Sequence, residues 1–173
     1  MSPLSRREFL AAGAAAGAGL VIGFYLPHKV SGSAETFAPN AYLKIASDGK
    51  ITVMLTRSEM GQGVSTSLPM ILAEELEADW KQITVEQAGA STLYGDQSTG
   101  GSASVRTTWD PLRKAGATAR EMLISAAAME WGVPRSACKA ENSSVVHPTS
   151  TRRLTYGQLA AKAAACLFLP TRL

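Results

Sequence analysis

The sequence predicts a mixed α+β domain with two layers, in which helices pack on a sheet. Three observations lead to this prediction. Two strand-like segments flank Asp48-Gly49, which is typical of an antiparallel hairpin. Apolar residues at helical spacing recur in later stretches of the chain. The order of strands and helices is irregular, whereas a doubly wound sheet needs regular alternation. With 173 residues, 46% of them hydrophobic, the chain is long enough for one such core.

The first helix is predicted to follow the hairpin and a glycine-rich turn. Apolar spacing predicts a helix over 64–78, with Ser65 or Thr66 as its N-cap. Pro69 is tolerable only in the first turn of that helix. Short runs of β-branched and apolar residues predict the strands. These strands lie at residues 41–46, 51–55, 83–87 and 145–147.

Two further helices are predicted in the second half of the chain. Asp110 is a natural N-cap and Pro111 suits the first helical position, so the second helix is expected to begin there and to end at Gly132. Residues 155–158, Thr-Tyr-Gly-Gln, predict a capping box that opens a third, alanine-rich helix. His147 precedes a proline and is interpreted as an exposed turn residue, not as a ligand.

The charge and the cysteines exclude several function classes. Arg6, Arg7 and Lys29 against Glu8 give residues 1–34 a net +2, so only about +1 of the total +3 remains for the rest of the chain. No nucleic-acid partner is therefore expected. The cysteines, Cys138 and Cys166, are far apart and lack the spacing of a zinc or iron–sulfur site. They allow a disulfide but do not indicate one, and no metal-ligating residue is assigned.

Residues 1–34 have the layout of an export signal. Ser-Arg-Arg-Glu-Phe-Leu at 5–10 is followed by an uncharged alanine- and glycine-rich run at 11–26 and by small residues at 31–34. The adjacent arginines resemble a twin-arginine signal, which exports folded proteins to the periplasm and contacts the membrane only transiently. The alternative is a transmembrane anchor, for which the run is short and weakly apolar. Export in the folded state suggests a cofactor that is inserted in the cytoplasm.

Two glycine-rich stretches are candidate ligand-binding loops. In the stretch 56–66, two glycines flank a glutamine where a strand gives way to a helix, which suits an anion because helix N-termini present unpaired N–H groups. The alternative is a tight connection without a ligand. Residues 88–108 lack periodicity and contain Thr-Gly-Gly-Ser-Ala-Ser-Val-Arg at 99–106. A long irregular segment of this kind is either functional or a flexible loop.

Three motifs together resemble the molybdenum hydroxylases of the xanthine oxidase family, of the isoquinoline oxidoreductase beta-subunit type. They are Ser-Glu-Met-Gly-Gln-Gly-Val-Ser-Thr at 58–66, Ala-Glu-Glu-Leu at 73–76, and the run at 99–106. The resemblance implies the molybdopterin-binding domain fold of that family and a bound molybdenum–molybdopterin cytosine dinucleotide. It places at the cofactor the residues Gly61, Gln62, Gly63, Thr66, Thr99, Gly100, Gly101, Ser102 and Ser104.

The resemblance also implies an activity and partners. Family members hydroxylate a carbon next to nitrogen in a heteroaromatic ring, or oxidise an aldehyde, with oxygen drawn from water. Gln62 would contact the pterin or the metal's own oxygen ligands without coordinating the metal. Electrons would leave through a small iron–sulfur subunit of the 2Fe–2S type, with a cytochrome c as a further acceptor. The substrate is expected to be a small molecule.

The sequence departs from the family in its catalytic groups and its length. Glu59, Glu74 and Glu75 do not match the family's glutamate base, which lies much later in a longer subunit, so no catalytic residue is assigned. The expected domains are the leader 1–34, a cofactor-binding domain 35–165 and a truncated or frameshifted tail 166–173. A natural C-terminus is the alternative for the tail. The competing functions are an exported, non-catalytic cofactor- or anion-binding fragment and an anchored domain without a ligand.

Overall fold

A computed structural model describes residues 36–166 of the chain. The predicted leader and residues 167–173 of the predicted tail lie outside these residues. The strands are β1 Thr36–Asn40, β2 Leu43–Ala46, β3 Ile51–Leu55, β4 Ile83–Gln87, β5 Lys139–Glu141, β6 Ser144–Val146 and β7 Arg153–Thr155. The α-helices are α1 Val64–Leu76, α2 Ser104–Trp131 and α3 Tyr156–Cys166. Short 3-10 turns lie at Trp80–Gln82, Thr92–Tyr94 and Arg135–Ala137.

The main sheet has four strands in the order β1-β2-β3-β4. The first three strands are antiparallel neighbours, and β4 pairs in parallel with β3. Helix α1 lies between β3 and β4 in the chain, as a parallel pair requires a crossover. The predicted hairpin is confirmed, because β2 and β3 are joined by a turn in which Gly49 has a φ of 91°. Asp48 Oδ1 accepts a hydrogen bond from the N–H of Lys50 at 2.9 Å in that turn.

A second, antiparallel sheet follows α2 in the order β5-β6-β7. Its middle strand, β6, overlaps the short strand predicted at 145–147 and ends one residue earlier, before His147. The predicted α+β class is confirmed, with the small second sheet as an addition. Among residues 36–166, no helix combines the length and the apolar character that a membrane span needs.

The core lies between the main sheet and the helices. Leu43, Ile45, Ile51 and Val53 contribute its sheet side and are fully or almost fully buried. Helices α1, α2 and α3 supply the other side with leucines and alanines. The buried helical residues include Leu68, Leu72, Leu76, Leu112, Ala115, Ala119, Leu123, Leu159 and Ala163. Tyr156 is also fully buried, and its hydroxyl donates a hydrogen bond to the carbonyl of Leu76 at 2.6 Å.

Helices α1 and α2 approach each other closely at Gly116. A Cβ atom added to this glycine would lie 2.5 Å from the carbonyl oxygen of Leu72 and 3.2 Å from the backbone nitrogen of Leu76. Beside this contact, Arg113 forms an ion pair with Glu75. The small residue therefore determines how close the two helices can pack.

The N-cap of α1 differs from the prediction. Gly63 is its N-cap, in the left-handed conformation, and neither Ser65 nor Thr66 caps the helix with its side chain. Pro69 is consequently the sixth helical residue, in the second turn and not in the first. The predicted first residue, Val64, is correct, but the cap was missed because a left-handed glycine permits the helix to begin directly after the loop.

The start of α2 was predicted wrongly. The helix begins at Ser104, seven residues before the expected first position, so Pro111 lies inside it. The reason is tertiary: Thr108 is buried in the early part of this helix, and Thr107 accepts a hydrogen bond from Arg57. These contacts stabilise helical turns ahead of Pro111, although a proline disfavours the helical conformation of the residue that precedes it.

Two local predictions in the second half are confirmed, and a third, for His147, is correct in its turn position only. Helix α2 ends at Gly132, whose φ of 62° is left-handed. The capping box exists, since Thr155 N–H donates to Gln158 Oε1 at 2.9 Å and Gln158 N–H donates to Thr155 Oγ1 at 3.3 Å. His147 follows β6 and lies in a turn, 2.8 Å from Ser150 Oγ through its Nδ1. It is less exposed than expected, because its ring lies against Trp131.

Candidate functional site

The two candidate loops meet at one edge of the main sheet. The first loop, residues 56–63, follows β3, and the second loop, residues 96–103, lies between β4 and α2. The parallel strands β3 and β4 end side by side, with Leu55 opposite Gln87. Chain segments that leave parallel neighbours start from the same edge of the sheet. The fold therefore explains why stretches about forty residues apart in the sequence share one location.

Direct hydrogen bonds join the two loops. The N–H of Ser58 donates to Thr99 Oγ1 at 2.9 Å. The guanidinium of Arg57 donates to the carbonyl of Ser98 and, through Nη2, to Thr107 Oγ1 at 2.9 Å. One side chain thus contacts the second loop and the first turn of α2 at the same time.

Arg57 was missed by the sequence analysis. Its side chain is only 3% exposed, and its Nη1 lies 3.5 Å from Asp96 Oδ2. Within residues 36–166, its buried Nε has no hydrogen-bond partner. The available signal was an arginine placed directly between a buried strand and a glycine loop, where a charged side chain is costly unless it is paired.

Glu59 occupies the N-terminus of α1. Its carboxylate accepts hydrogen bonds from the N–H groups of Gly61 at 2.8 Å, Gly63 at 3.0 Å and Ser65 at 2.8 Å, and from Ser65 Oγ at 2.7 Å. These bonds lower the pKa of Glu59 to about 2, with the backbone N–H of Ser65 as the largest cause. The N–H groups that we expected to face a bound anion therefore bind a carboxylate of the same loop. A tethered anion competes well for such a site because its effective concentration is high.

The glycines and the glutamine of the first loop have separate roles in its shape. Gly61 and Gly63 have φ values of 91° and 84°, which L side chains rarely adopt. A Cβ atom at either position would meet no atom within 4 Å, so the space beside them is open. Gln62 folds onto its own loop, since its Nε2 donates to Ser58 O at 2.8 Å and its Oε1 accepts from Met60 N at 2.6 Å. One amide hydrogen of Gln62 remains for a ligand.

The second loop leads into an uncapped helix. Gly101 and Ser102 both have left-handed φ values, 57° and 52°, and both are exposed. No side chain caps α2. Within the described part of the chain, the N–H groups of Ser104, Val105 and Arg106 have no acceptor. The anion-binding geometry expected at α1 is therefore present at α2 instead.

The remaining predicted residues also lie at this site. Thr99 accepts the hydrogen bond from Ser58, and Gly100 is exposed beside it. Thr66 lies exposed in the first turn of α1, one residue beyond Ser65. All the residues assigned to the cofactor thus lie on the two joined loops or in the first turns of the helices that follow them.

The donor set fits an organic cofactor with phosphate groups. Between residues 36 and 166, no group of three histidine, cysteine, aspartate or glutamate side chains is arranged to hold a metal ion. The hydroxyls of Ser102 and Ser104, the amide of Gln62 and the free N–H groups of α2 are hydrogen-bond donors, which suit phosphate oxygens and a pterin. Open space beside the glycines leaves room for such a group.

Comparison with known sequences identifies relatives that are much longer. The chain is 37% identical over 171 residues to the isoquinoline 1-oxidoreductase subunit beta of Brevundimonas diminuta, which covers 91% of this chain and 22% of that protein. It is 34% identical over 168 residues to the membrane-bound aldehyde dehydrogenase (pyrroloquinoline-quinone) of Gluconacetobacter polyoxogenes. That match covers 92% of this chain and 21% of the relative. The chain thus spans about a fifth of the length of these relatives.

Solved structures share the fold. Quinoline 2-oxidoreductase from Pseudomonas putida 86 matches with a TM-score of 0.56 and 18% identity, over 75% of this chain and 17% of that one. The Cu,Mo-CO dehydrogenase in its carbon monoxide reduced state matches with a TM-score of 0.58 and 21% identity, over 69% of this chain and 15% of that one. The sequence profile of the molybdopterin cofactor-binding domain matches residues 5–169. With this match, the two joined loops and the shared fold, the chain belongs to the molybdopterin cofactor-binding domain family.

Proposed function

We propose that this chain is the amino-terminal cofactor-binding part of a molybdenum hydroxylase large subunit in the periplasm. The enzyme would hydroxylate N-heteroaromatic compounds or oxidise aldehydes, with water as the oxygen source. The observation that carries the proposal is the junction of two ligand-type loops beside the uncapped N-terminus of α2. The similarity to an isoquinoline oxidoreductase subunit and to an aldehyde dehydrogenase supports both substrate classes.

The cofactor is proposed to be the cytosine dinucleotide form of molybdopterin, with its phosphates at α2. Gly100 and Gly101 permit close approach of the backbone, and the hydroxyls of Ser102 and Ser104 lie beside the free N–H groups of the helix. When bound, the cofactor supplies the two-electron oxidation. This part of the chain binds and orients it.

The first loop is proposed to contact the pterin end. Gln62 lies at its exposed tip, with its amide oriented by hydrogen bonds within the loop. Gly61 and Gly63 give the loop its shape, and Thr66 and Thr99 are further hydroxyl donors at its two sides. Glu59 holds the loop closed and is not proposed as a base, because four hydrogen bonds lower its pKa to about 2.

Further parts of the subunit are needed to complete the site. Met60 is 67% exposed at the tip of the first loop, and Val105 and Trp109, one turn apart on α2, are also exposed apolar residues. An exposed apolar surface beside a cofactor site is suited to another protein segment. We therefore propose that this chain alone does not catalyse hydroxylation. The proposed electron route runs through a small 2Fe–2S subunit to a cytochrome c.

The cofactor assignment can be tested by direct measurement of metal and nucleotide. The chain is expressed with molybdenum cofactor supply intact, and bound molybdenum and released cytidine nucleotide are quantified by mass spectrometry. We expect substoichiometric molybdenum with an equal amount of nucleotide, reduced further in Ser102→Ala and unchanged in Thr151→Ala. A bound quinone without molybdenum would contradict the proposal in favour of the cofactor in the second relative's name. Molybdenum without turnover supports cofactor binding by a non-catalytic fragment, and turnover by this chain would contradict the proposed division of the site.

Export can be tested separately. Arg6 and Arg7 are both replaced by lysine, which keeps the charge but removes the arginine pair. We expect the periplasmic fraction to be lost and the protein to accumulate in the cytoplasm. An unchanged periplasmic yield would refute the twin-arginine assignment.

A further inference from the structure

We propose that Arg57 is a positioning residue, which holds the second loop and the first turn of α2 against the first loop. The inference rests on the proposed function, because both loops are proposed to contact one cofactor. The Arg57 side chain is only 3% exposed, which suits an indirect role better than direct contact with a ligand. It acts through the residues that it orients.

The contacts of Arg57 connect three segments. Its backbone lies in the first loop, and its guanidinium donates to Ser98 O in the second loop and to Thr107 Oγ1 in α2. The next residue adds a parallel connection, since Ser58 N–H donates to Thr99 Oγ1. Two neighbouring hydrogen bonds therefore join residues 57–58 to residues 98–99.

Two successive hydrogen bonds connect Arg57 to the turn that carries the free N–H groups of α2. The hydroxyl of Thr107 accepts from Arg57 and donates to the carbonyl of Ala103 at 2.9 Å. Ala103 is the N-cap of α2 and lies between Ser102 and Ser104. The orientation of the turn that carries the proposed phosphate donors thus depends on Arg57.

The burial of Arg57 argues against a role in global stability alone. A cation that is 3% exposed is expensive to bury, its Nε is unpaired within residues 36–166, and its one carboxylate neighbour, Asp96, is 69% exposed. An apolar side chain would avoid that expense. The arginine has one property that an apolar residue and a lysine both lack. Its planar guanidinium can donate hydrogen bonds to two segments at once.

The first test measures the geometry without any ligand. Amide hydrogen exchange is followed in the full chain for the unmutated protein, Arg57→Met, Arg57→Lys and the control Arg113→Met, which removes an ion pair between α1 and α2. We expect exchange of the hydrogen-bonded amides within 58–63 and 98–107, among them those of Ser58, Ala103 and Thr107, to rise together by about tenfold in Arg57→Met and less in Arg57→Lys. The control should leave both segments unchanged. A rise in one loop only, or an equal rise throughout the β2–β3 hairpin, would overturn the proposal.

The second test measures ligand binding with cytidine 5′-diphosphate as the probe. The affinity should fall by about tenfold in Arg57→Met, with Arg57→Lys in between, and remain unchanged in Arg113→Met. Thr107→Val should weaken binding too, and the double variant with Arg57→Met should be no weaker than Arg57→Met. Equal affinity in Arg57→Met and the unmutated chain would overturn the positioning role. If the unmutated chain does not bind the probe, the dinucleotide assignment fails, whereas the exchange experiment still decides whether Arg57 joins the loops.

Discussion

Replacement of Gly116 by alanine should separate the two helices that carry the candidate site. The new Cβ would lie 2.5 Å from Leu72 O, whereas ordinary van der Waals contact begins at 3.4 Å, so α1 and α2 must move apart by about 0.9 Å. Overpacking of this kind costs about 1–3 kcal/mol. We expect the upper end, because two of the three closest atoms belong to the backbone of α1 and cannot rotate away.

The helix propensity of alanine offsets part of this loss. Alanine is favoured over glycine in a helix by about 1 kcal/mol. The expected net destabilisation is therefore about 2 kcal/mol, or a change of roughly 30-fold in the folding equilibrium.

Urea unfolding followed by circular dichroism measures this change as a lower midpoint at an unchanged slope. The control is Gly89→Ala, where the new Cβ has no atom within 4 Å. An unchanged or higher midpoint in Gly116→Ala would refute the reasoning, since it would mean that the helices are not limited by this contact.

Three further predictions concern single hydrogen-bonding groups. Tyr156→Phe should destabilise the fold by about 1–3 kcal/mol in urea unfolding, because it leaves the buried carbonyl of Leu76 without its donor; an unchanged midpoint would contradict this. The pKa of Glu59 in the folded loop, about 2, is below its ordinary value of 4.5, so the loop should be held closed above pH 4.5 and released as the pH falls towards 2. Amide NMR shifts of Gly61 and Gly63 would report this release, and Glu59→Gln should show the open-loop shifts at neutral pH. In a full-length subunit that carries this domain, Gln62→Ala should lower molybdenum occupancy or turnover. If the variant matched the unmutated subunit in both quantities, Gln62 would be excluded from the site.

Local signals were sufficient for several elements. The Asp48-Gly49 hairpin, the end of α2 at Gly132 and the capping box at 155–158 were all predicted, because each depends on the conformational preference or hydrogen bonds of a few adjacent residues. The family was also predicted from the sequence, since its motifs are contiguous runs. The site residues remain a prediction, although the fold brings them together.

The N-cap of α1 and the start of α2 could not be predicted in the same way. Each depends on a group outside the helix: the carboxylate of Glu59 folds back on α1, and the guanidinium of Arg57 bonds to Thr107 in α2. The cap preferences of residues next to a helix do not indicate such contacts. Polar side chains in these regions therefore suggested caps that the tertiary structure does not use.

The sequence by itself determined the class of fold, the two glycine-rich loops and the family to which they belong. The tertiary structure decided that the loops are joined by Arg57, that Glu59 fills the N-terminus of α1, and that the free N–H groups lie at α2. The physical reason is that a hydrogen bond depends on where the chain brings its two partners. Arg57 and Thr107 are fifty positions apart, and only the parallel pairing of β3 and β4 brings their segments to the same edge.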